Sequence, residues 1–463
     1  MTDYAVHEHR EFLDATDAAL ADAGLQRSLV KLGDTLGHRN REAWAKLDRS
    51  DLVREKARAI KDETLAHMAD HLVTLERAVA ARGGKVHFAE TAEEAREIIR
   101  GIVKAANGKR VVKSKSMTTE EIHLNPALEA DGVEVVETDL GEFIIQVAGH
   151  RPSHLVAPAM HLNAGQIREI LSRDAKRELP PEPEQLTQYA RERLREAFAT
   201  ADVGITGANF VVAETGTVAL VSNEGNARLT TTAPRVLISV AGFEKVIPKL
   251  ADLPYFLKVL ARAATGQKLS VYTSLVTGPR RPGEIDGPEE FHIVLLDNGR
   301  SKILGGPLRE SLFCIRCGAC LNACPVFRNI GGHAYGGVYS GPIGAILTPL
   351  YSGLAEHPHL PHVSSLCGAC KAACPVKIAI PDMLVRLREQ MHHAEGNASR
   401  LENAAYRVWA ATLRSSWLYR TGTWLLSRTL GRFAGKSGWL SRLPGKLHGW
   451  TEHRDFPAPA PER

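Results

Sequence analysis

Cys314-Ile-Arg-Cys317-Gly-Ala-Cys320-Leu-Asn-Ala-Cys324-Pro325 and Cys367-Gly-Ala-Cys370-Lys-Ala-Ala-Cys374-Pro375 hold all seven cysteines of the 463-residue chain. The first stretch is a complete C-x2-C-x2-C-x3-C-P run. The second repeats its last three cysteines, with Ser364 where the first would stand. Three thiolates at two-residue gaps can wrap one corner of an iron–sulfur cube, while small Gly318 and Ala319 let the backbone pass close and donate N–H bonds to sulfur. In two-cluster ferredoxins the fourth cysteine ligates the other cluster. On that pattern Cys314, Cys317, Cys320 and Cys374 complete one [4Fe–4S] cluster, and Cys324, Cys367 and Cys370 hold a second that is one thiolate short. Three outcomes are open there: a [3Fe–4S] cluster, a [4Fe–4S] cluster completed by Ser364, water or one of His357, His359 and His362, or a labile fourth iron. Four-cysteine zinc sites use short-spaced pairs, but seven cysteines in two runs that each close on proline do not fit them. Pro325 and Pro375 end each run, being unable to continue a hydrogen-bonded helix. The three histidines read as a solvated linker.

Working outward, confinement of the cysteines to one window of a long chain excludes a secreted disulfide scaffold and implies a reducing compartment. With 44% hydrophobic and 24% charged residues and a net charge of +5, the composition excludes a largely disordered chain and a fibre. The polar start MTDYAVHEHREFLDA has no secretory apolar run, and no uncharged apolar stretch of about 18 residues exists to span a bilayer. The expectation is a cytoplasmic protein.

Residues 10–80 show apolar positions at three- and four-residue spacing, which predicts helices. From Gly84 helices alternate with short β-branched runs. Helices are expected over Ala92–Val103, from Thr119 and over Tyr255–Ala264. Strands are expected over Arg110–Val112, Val133–Glu137, Phe210–Val221, Arg235–Val240 and Phe291–Leu296. That alternation predicts an α/β domain with a mainly parallel sheet. Asn298-Gly299 is a hairpin signal that predicts a return strand. Gly331–Pro349 is too poor in periodic apolar residues for a long helix, with one or two turns expected over Ile343–Leu347. The expected organisation is an N-terminal helical arm (1–83), an α/β domain (84–300), a two-cluster ferredoxin-type module (301–395) and a C-terminal region (396–463).

The tail is a separate compositional zone. From Leu401 to Arg454 the charge is +7, against −2 for the rest, and five of the six tryptophans lie there: Trp409, Trp417, Trp424, Trp439 and Trp450. On one helical wheel Tyr406, Trp409, Leu413, Trp417 and Trp424 share a face, with Arg407 and Arg414 off it and Arg420 intruding. Such a face packs on the chain's own core, docks a partner or lies in a membrane interface. Its basic residues lack a nucleic-acid-binding motif, so no nucleic acid is expected. Phe456–Pro461 reads as an extended, mobile terminus.

Several longer motifs accompany the cysteines: Lys113-Ser-Lys-Ser-Met-Thr-Thr-Glu-Glu-Ile122, Glu137-Thr-Asp-Leu-Gly-Glu142, Pro152-Ser-His154, Ala213-Glu-Thr-Gly-Thr217, Asn223-Glu-Gly-Asn226, and the glycine-rich stretch from Ile330 to Leu350. With the cysteine module they resemble the lactate utilization protein B family over nearly the whole chain. The resemblance implies an α/β lactate-utilization domain, of the fold shared by sugar-phosphate isomerases and CoA-transferases, with N-terminal helices, a two-cluster ferredoxin-like helical module and a helical C-terminal tail. It implies an iron–sulfur electron-transfer subunit, not itself catalytic, that oxidises L-lactate to pyruvate with two companion proteins and an acceptor it does not identify. Carried over residue by residue, the cluster ligands are Cys314, Cys317, Cys320 and Cys374 for one site and Cys324, Cys367 and Cys370 for the other.

Two further sites carry alternatives. Glu214, on a turn between apolar runs, is either a nucleophile or general base or an acid that caps the turn. Lys113, Ser114, Lys115 and Ser116 follow a strand and precede a helix, where they either hold an anion or form a solvated loop. The competing functional readings are a catalytic or sensing α/β unit for a small organic acid, and a generic iron–sulfur subunit for another 2-hydroxy acid or glycerol 3-phosphate.

Overall fold

The computed structural model describes residues 9–394, 400–430, 438–443, 448–451 and 454–457. Contacts divide the chain into two compact units, Met1–Arg388 and Glu389–Arg463. The first unit opens with helices His9–Ala21, Ala23–Ala45, Ser50–Ala66 and Met68–Ala80; of the periodic apolar residues, Ala57, Ile60, Leu65, Met68 and Leu75 enter the main core, Leu72 packs partly buried against it and Leu52 is exposed.

Ten strands follow in this unit: β1 (Lys85–Ala89), β2 (Arg110–Lys113), β3 (Glu134–Glu137), β4 (Val203–Thr206), β5 (Phe210–Val212), β6 (Thr217–Ser222), β7 (Val236–Gly242), β8 (Val246–Ile247), β9 (Tyr272–Val276) and β10 (Glu290–Leu296). Six form a sheet of order β1-β10-β7-β4-β2-β3 in which every pairing is parallel. Its central strands are continuous apolar runs because helices cover both faces, and β7 is buried along its whole length. The other four make a smaller sheet, β8-β5-β6-β9, built on the β5–β6 hairpin. Helix Ala92–Ala105 illustrates the local logic: Thr91 caps it by accepting the Glu94 N–H, Glu93 and Glu94 sit in its first turn, and Lys104 in its last.

Parallel pairing sends every carboxyl end of the large sheet to one edge. Lys113–Lys115, Glu137–Asp139, Thr206–Asn209, Gly242–Lys245 and Asp297–Arg300 therefore converge there. The strand order also reverses between β2 and β4, since β2 leads to β3 in one direction and β4 leads to β7 and β10 in the other.

Three expectations fail. Asn298 (φ 46°) and Gly299 (φ 86°) do turn the chain, but a helix, Arg300–Leu304, follows in place of a return strand. The reason is Arg300, whose side chain is drawn into buried carboxylates. Gly341–Ser352 is a twelve-residue helix, longer than expected; Gly341–Pro349 are buried throughout, so no periodicity marks it. In the second unit the aromatic face is split, because Tyr406, Trp409 and Leu413 lie on helix Arg400–Arg414 and Trp417 and Trp424 on helix Ser416–Leu430, with a break at Ser415. All five are exposed. Phe456–Pro457 pairs with Trp439–Leu440; residues 458–461 of the predicted mobile terminus and the Trp450 side chain lie outside the described residues. No described helix is long and apolar enough to cross a membrane.

Candidate metal centres

The two cysteine runs are conformational copies. Each places the residue before its Cys-Gly-Ala-Cys segment in the left-handed region (Arg316 before Cys317, φ 60°; Leu366 before Cys367, φ 54°) and the glycine of that segment likewise (Gly318, φ 75°; Gly368, φ 83°). A one-turn helix comes next, Ala319–Ala323 or Ala369–Ala373, and the two helices pack on each other. This pairing brings the last cysteine of each run to the other. Cys314, Cys317, Cys320 and Cys374 wall one small apolar cavity of about 20 Å³, lined also by Leu155 and Ile343. Cys324, Cys367 and Cys370 are mutual neighbours beside it.

Backbone N–H groups point at sulfur as the small residues predict. Arg316 N lies 3.4 Å from Cys314 Sγ and Ile378 N lies 3.3 Å from Cys374 Sγ. Ala319 and Ala369 serve Cys317 and Cys367 in the same way. Ser364 completes the copy: its Oγ accepts the Leu366 N–H at 3.1 Å, the bond that Cys314 Sγ accepts from Arg316.

Burial and crowding push the thiols away from ionisation. Cys317 and Cys320 are raised strongly, Cys374 is pushed up to about 12 and Cys370 to about 11. Cys367 is exposed, and the Ala369 backbone N–H that donates to its sulfur holds its pKa below the usual value. Thiols packed this closely become thiolates when a cationic metal group offsets their repulsion.

The charges around the first set fit an anionic, thiolate-ligated group. Arg300 holds Glu121 with two 2.8 Å bonds and Glu244 with a third of 2.7 Å. Arg316 donates to Glu244 Oε1 and to the Tyr351 hydroxyl, both at 3.2 Å, and stacks over Tyr339. Lys61, fully buried, donates to the Glu244 carbonyl, and Lys245 is buried alongside. Among the described residues of this network, Arg300 and Arg316 are matched by Glu121 and Glu244, while burial lowers the pKa of Lys61 to about 7 and that of Lys245 to about 8, so an anionic thiolate-bound cluster beside Cys314 would favour their charged forms. At the boundary of the two cysteine sets, the fully buried Tyr335 presents a hydroxyl with no protein partner to Cys320, Cys324 and Cys370. A donor left unpaired beside sulfur fits a group that accepts there.

Other predicted residues fall as follows. Lys113 is consumed: its ammonium is completely buried between Glu120 and Glu137, at 2.7 Å from each, so it is no anion site. Ser114 is hydrogen-bonded to Thr206 at 2.7 Å, and Ser116 caps helix Met117–Glu121. Ser114, Lys115 and Ser116 all line a cleft, and Lys115 is the cation among them. Glu214 is exposed on the β5–β6 turn, and its carboxylate accepts the N–H of Leu250, which starts a separate turn, at 3.0 Å. His357 and His359 are buried rather than solvated, with Phe12 of helix His9–Ala21 stacked on His359 at 4.9 Å and the two histidine rings edge to face at 6.4 Å; His362 is exposed. His154 accepts the Val156 and Ala157 N–H groups on Nδ1 and packs against Gly318, where a Cβ would meet its ring at 3.2 Å.

Sequence reasoning missed Lys61, Glu121, Glu244 and Arg300, which distant segments contribute. It also missed Arg316, although that residue stands between two cysteines in plain view. Nor did it find Arg54, which donates to the carbonyls of Ala372 and Cys374 at 2.8 and 2.7 Å and ties the helical arm to the second run.

Comparison with known families matches residues 73–296 to the LUD domain, residues 310–378 to the 4Fe-4S dicluster domain and residues 386–463 to the C-terminal domain of lactate utilisation protein B. The lactate utilization protein B of Geobacillus kaustophilus (strain HTA426) is 46% identical over 454 residues, 98% of this chain and 93% of that protein. That of Bacillus subtilis (strain 168) is 46% identical over 431 residues, 93% of this chain and 90% of that one. A solved DUF162 family protein from Deinococcus radiodurans covers 49% of this chain and 97% of its own, with 14% identity and a TM-score of 0.28.

Proposed function

The chain belongs to the lactate utilization protein B family, and we propose that it is the iron–sulfur electron-transfer subunit of a complex that oxidises L-lactate to pyruvate with two companion lactate-utilization proteins. The reading rests chiefly on the exchange of cysteines between two copied runs, one set buried and one reaching the surface at Cys367. Cys314, Cys317, Cys320 and Cys374 would hold one [4Fe–4S] cluster, and Cys324, Cys367 and Cys370 a second. Clusters held there supply one-electron oxidation and reduction.

The protein's own residues set the conditions. Burial keeps water from the first set, and the N–H groups of Arg316, Ala319 and Ile378 favour negative charge on its sulfurs. Lys61 and Lys245, whose pKa values burial lowers to about 7 and about 8, gain charge beside an anionic cluster, and to that extent favour its reduced state. The exposed Cys367 leaves the second set within reach of a partner. Ser364 stands where a fourth thiolate would, its hydroxyl held as Cys314 Sγ is, which favours it over the histidines as the remaining ligand. Glu214, spent on a backbone N–H away from both sets, gives no support to a catalytic role.

The test is anaerobic reconstitution with the two companion proteins. L-lactate is expected to reduce the clusters, followed by EPR, with pyruvate formed in proportion to the electrons taken up. Clusters that stay oxidised while pyruvate forms would overturn the proposal, as would equal reduction by glycolate or glycerol 3-phosphate.

A further inference from the structure

A cleft of about 460 Å³ opens where the order of the large sheet reverses, bounded by the loops after β2 and β4 and by the first cysteine run. Both its size and its place at the carboxyl ends of parallel strands are those of a small-molecule site. Lys115, Lys245, Arg316, Thr206, Asn209 and Cys317 are on its wall.

Three of these are cations, and two have bonds left to give. Lys115 Nζ is buried without a hydrogen-bond partner; Glu142 Oε1 lies 3.4 Å away but out of alignment. Arg316, with its side chain only 8% exposed, uses Nη2 on Glu244 and Tyr351 and leaves Nη1 unpaired. The carboxylates on the same wall are already engaged by the main chain. Asp139 accepts the Gly141 and Glu142 N–H groups, and Glu224 accepts that of Leu140. Buried donors with no partner mark a place built for an acceptor. The wall offers no glycine-rich phosphate loop, and isolated ammonium and guanidinium donors suit a carboxylate.

We infer that this cleft binds a short organic acid carrying a 2-hydroxyl or 2-oxo group, its carboxylate held between Lys115, Lys245 and Arg316 beside Cys317. The inference deepens the proposed function, since it puts the small molecule of the complex against the first cysteine set. Neutral groups on Thr206 and Asn209 line the space left for the rest of the molecule. Both the 2-hydroxy acid and its 2-oxo product share this chemistry.

The experiment is anaerobic equilibrium dialysis of the cluster-loaded chain with labelled L-lactate and with pyruvate, inorganic phosphate serving as the comparison anion, and EPR recorded with and without each. At least one of the two acids should bind and alter the EPR line shape. Lys115→Met and Lys245→Met should each weaken binding about tenfold or more, the loss of a charge-assisted contact. Iron content and melting temperature should hold in at least one of the two variants, and that variant is the one read. Absence of binding of either acid, phosphate binding in their place, or full affinity in a folded variant would overturn the inference. Lactate-driven reduction of the clusters in the reconstituted complex can still succeed in that case, so failure of the cleft and failure of the electron-transfer reading are distinguishable.

Discussion

Ser364 is the residue on which the second site turns. Its hydroxyl accepts the same i+2 N–H that Cys314 Sγ accepts, which supports the proposal of Ser364 as an eighth ligand. Replacing Ser364 with Ala should therefore cost roughly one iron per chain and yield an oxidised-state [3Fe–4S] EPR signal, while Ser364→Cys should keep full iron and change only the spectrum. Unaltered iron and spectrum in Ser364→Ala would place the ligand elsewhere. At this scale the cysteines were legible because their spacing is local. Their counter-charges were not, since Lys61, Glu121, Glu244 and Arg300 are brought together only by folding. Lys113 was misleading for a related reason: a lysine in a strand-to-helix loop reads as an anion site until Glu120 and Glu137 are seen to neutralise it.

The two cysteine runs are one element used twice, and their differences are as informative as their likeness. Gly318 and Gly368 share a left-handed backbone, which costs a residue with a side chain about 1–2 kcal/mol. A Cβ at Gly368 would meet open space, whereas at Gly318 it would press on His154 at 3.2 Å and Val156 at 3.3 Å. Gly318→Ala should thus lower the melting temperature of the cluster-loaded chain by more than Gly368→Ala does, and speed iron release to a chelator. Equal losses would mean that His154 and Val156 yield without cost. Element type followed the sequence where burial was one-sided or strands were apolar throughout, as in Ala92–Ala105 and β7. It did not at Gly341–Ser352, buried on every side, nor after Gly299, where the attraction of Glu121 and Glu244 for Arg300 overrides the hairpin signal.

Across the first unit, parallel pairing gathers the polar strand ends at one edge, and the cysteine module meets the sheet there. Arg316 joins the two by reaching the carboxylate of Glu244, which Arg300 in turn links to Glu121. The α/β domain is thereby more than a support: it supplies Lys245, Arg300, Glu121 and Glu244 to the charged network beside the buried cysteines, and a cleft next to them. The alternation of helices and apolar runs made the α/β class readable, but nothing local could show which edge faces the cysteines. The most direct test of the whole account is iron, acid-labile sulfide and zinc measured on anaerobically purified chain, with EPR before and after reduction. About eight iron and eight sulfide per chain, reducible in one-electron steps, is the result expected for two clusters. Stoichiometric zinc with no sulfide, and no EPR signal on reduction, would contradict it.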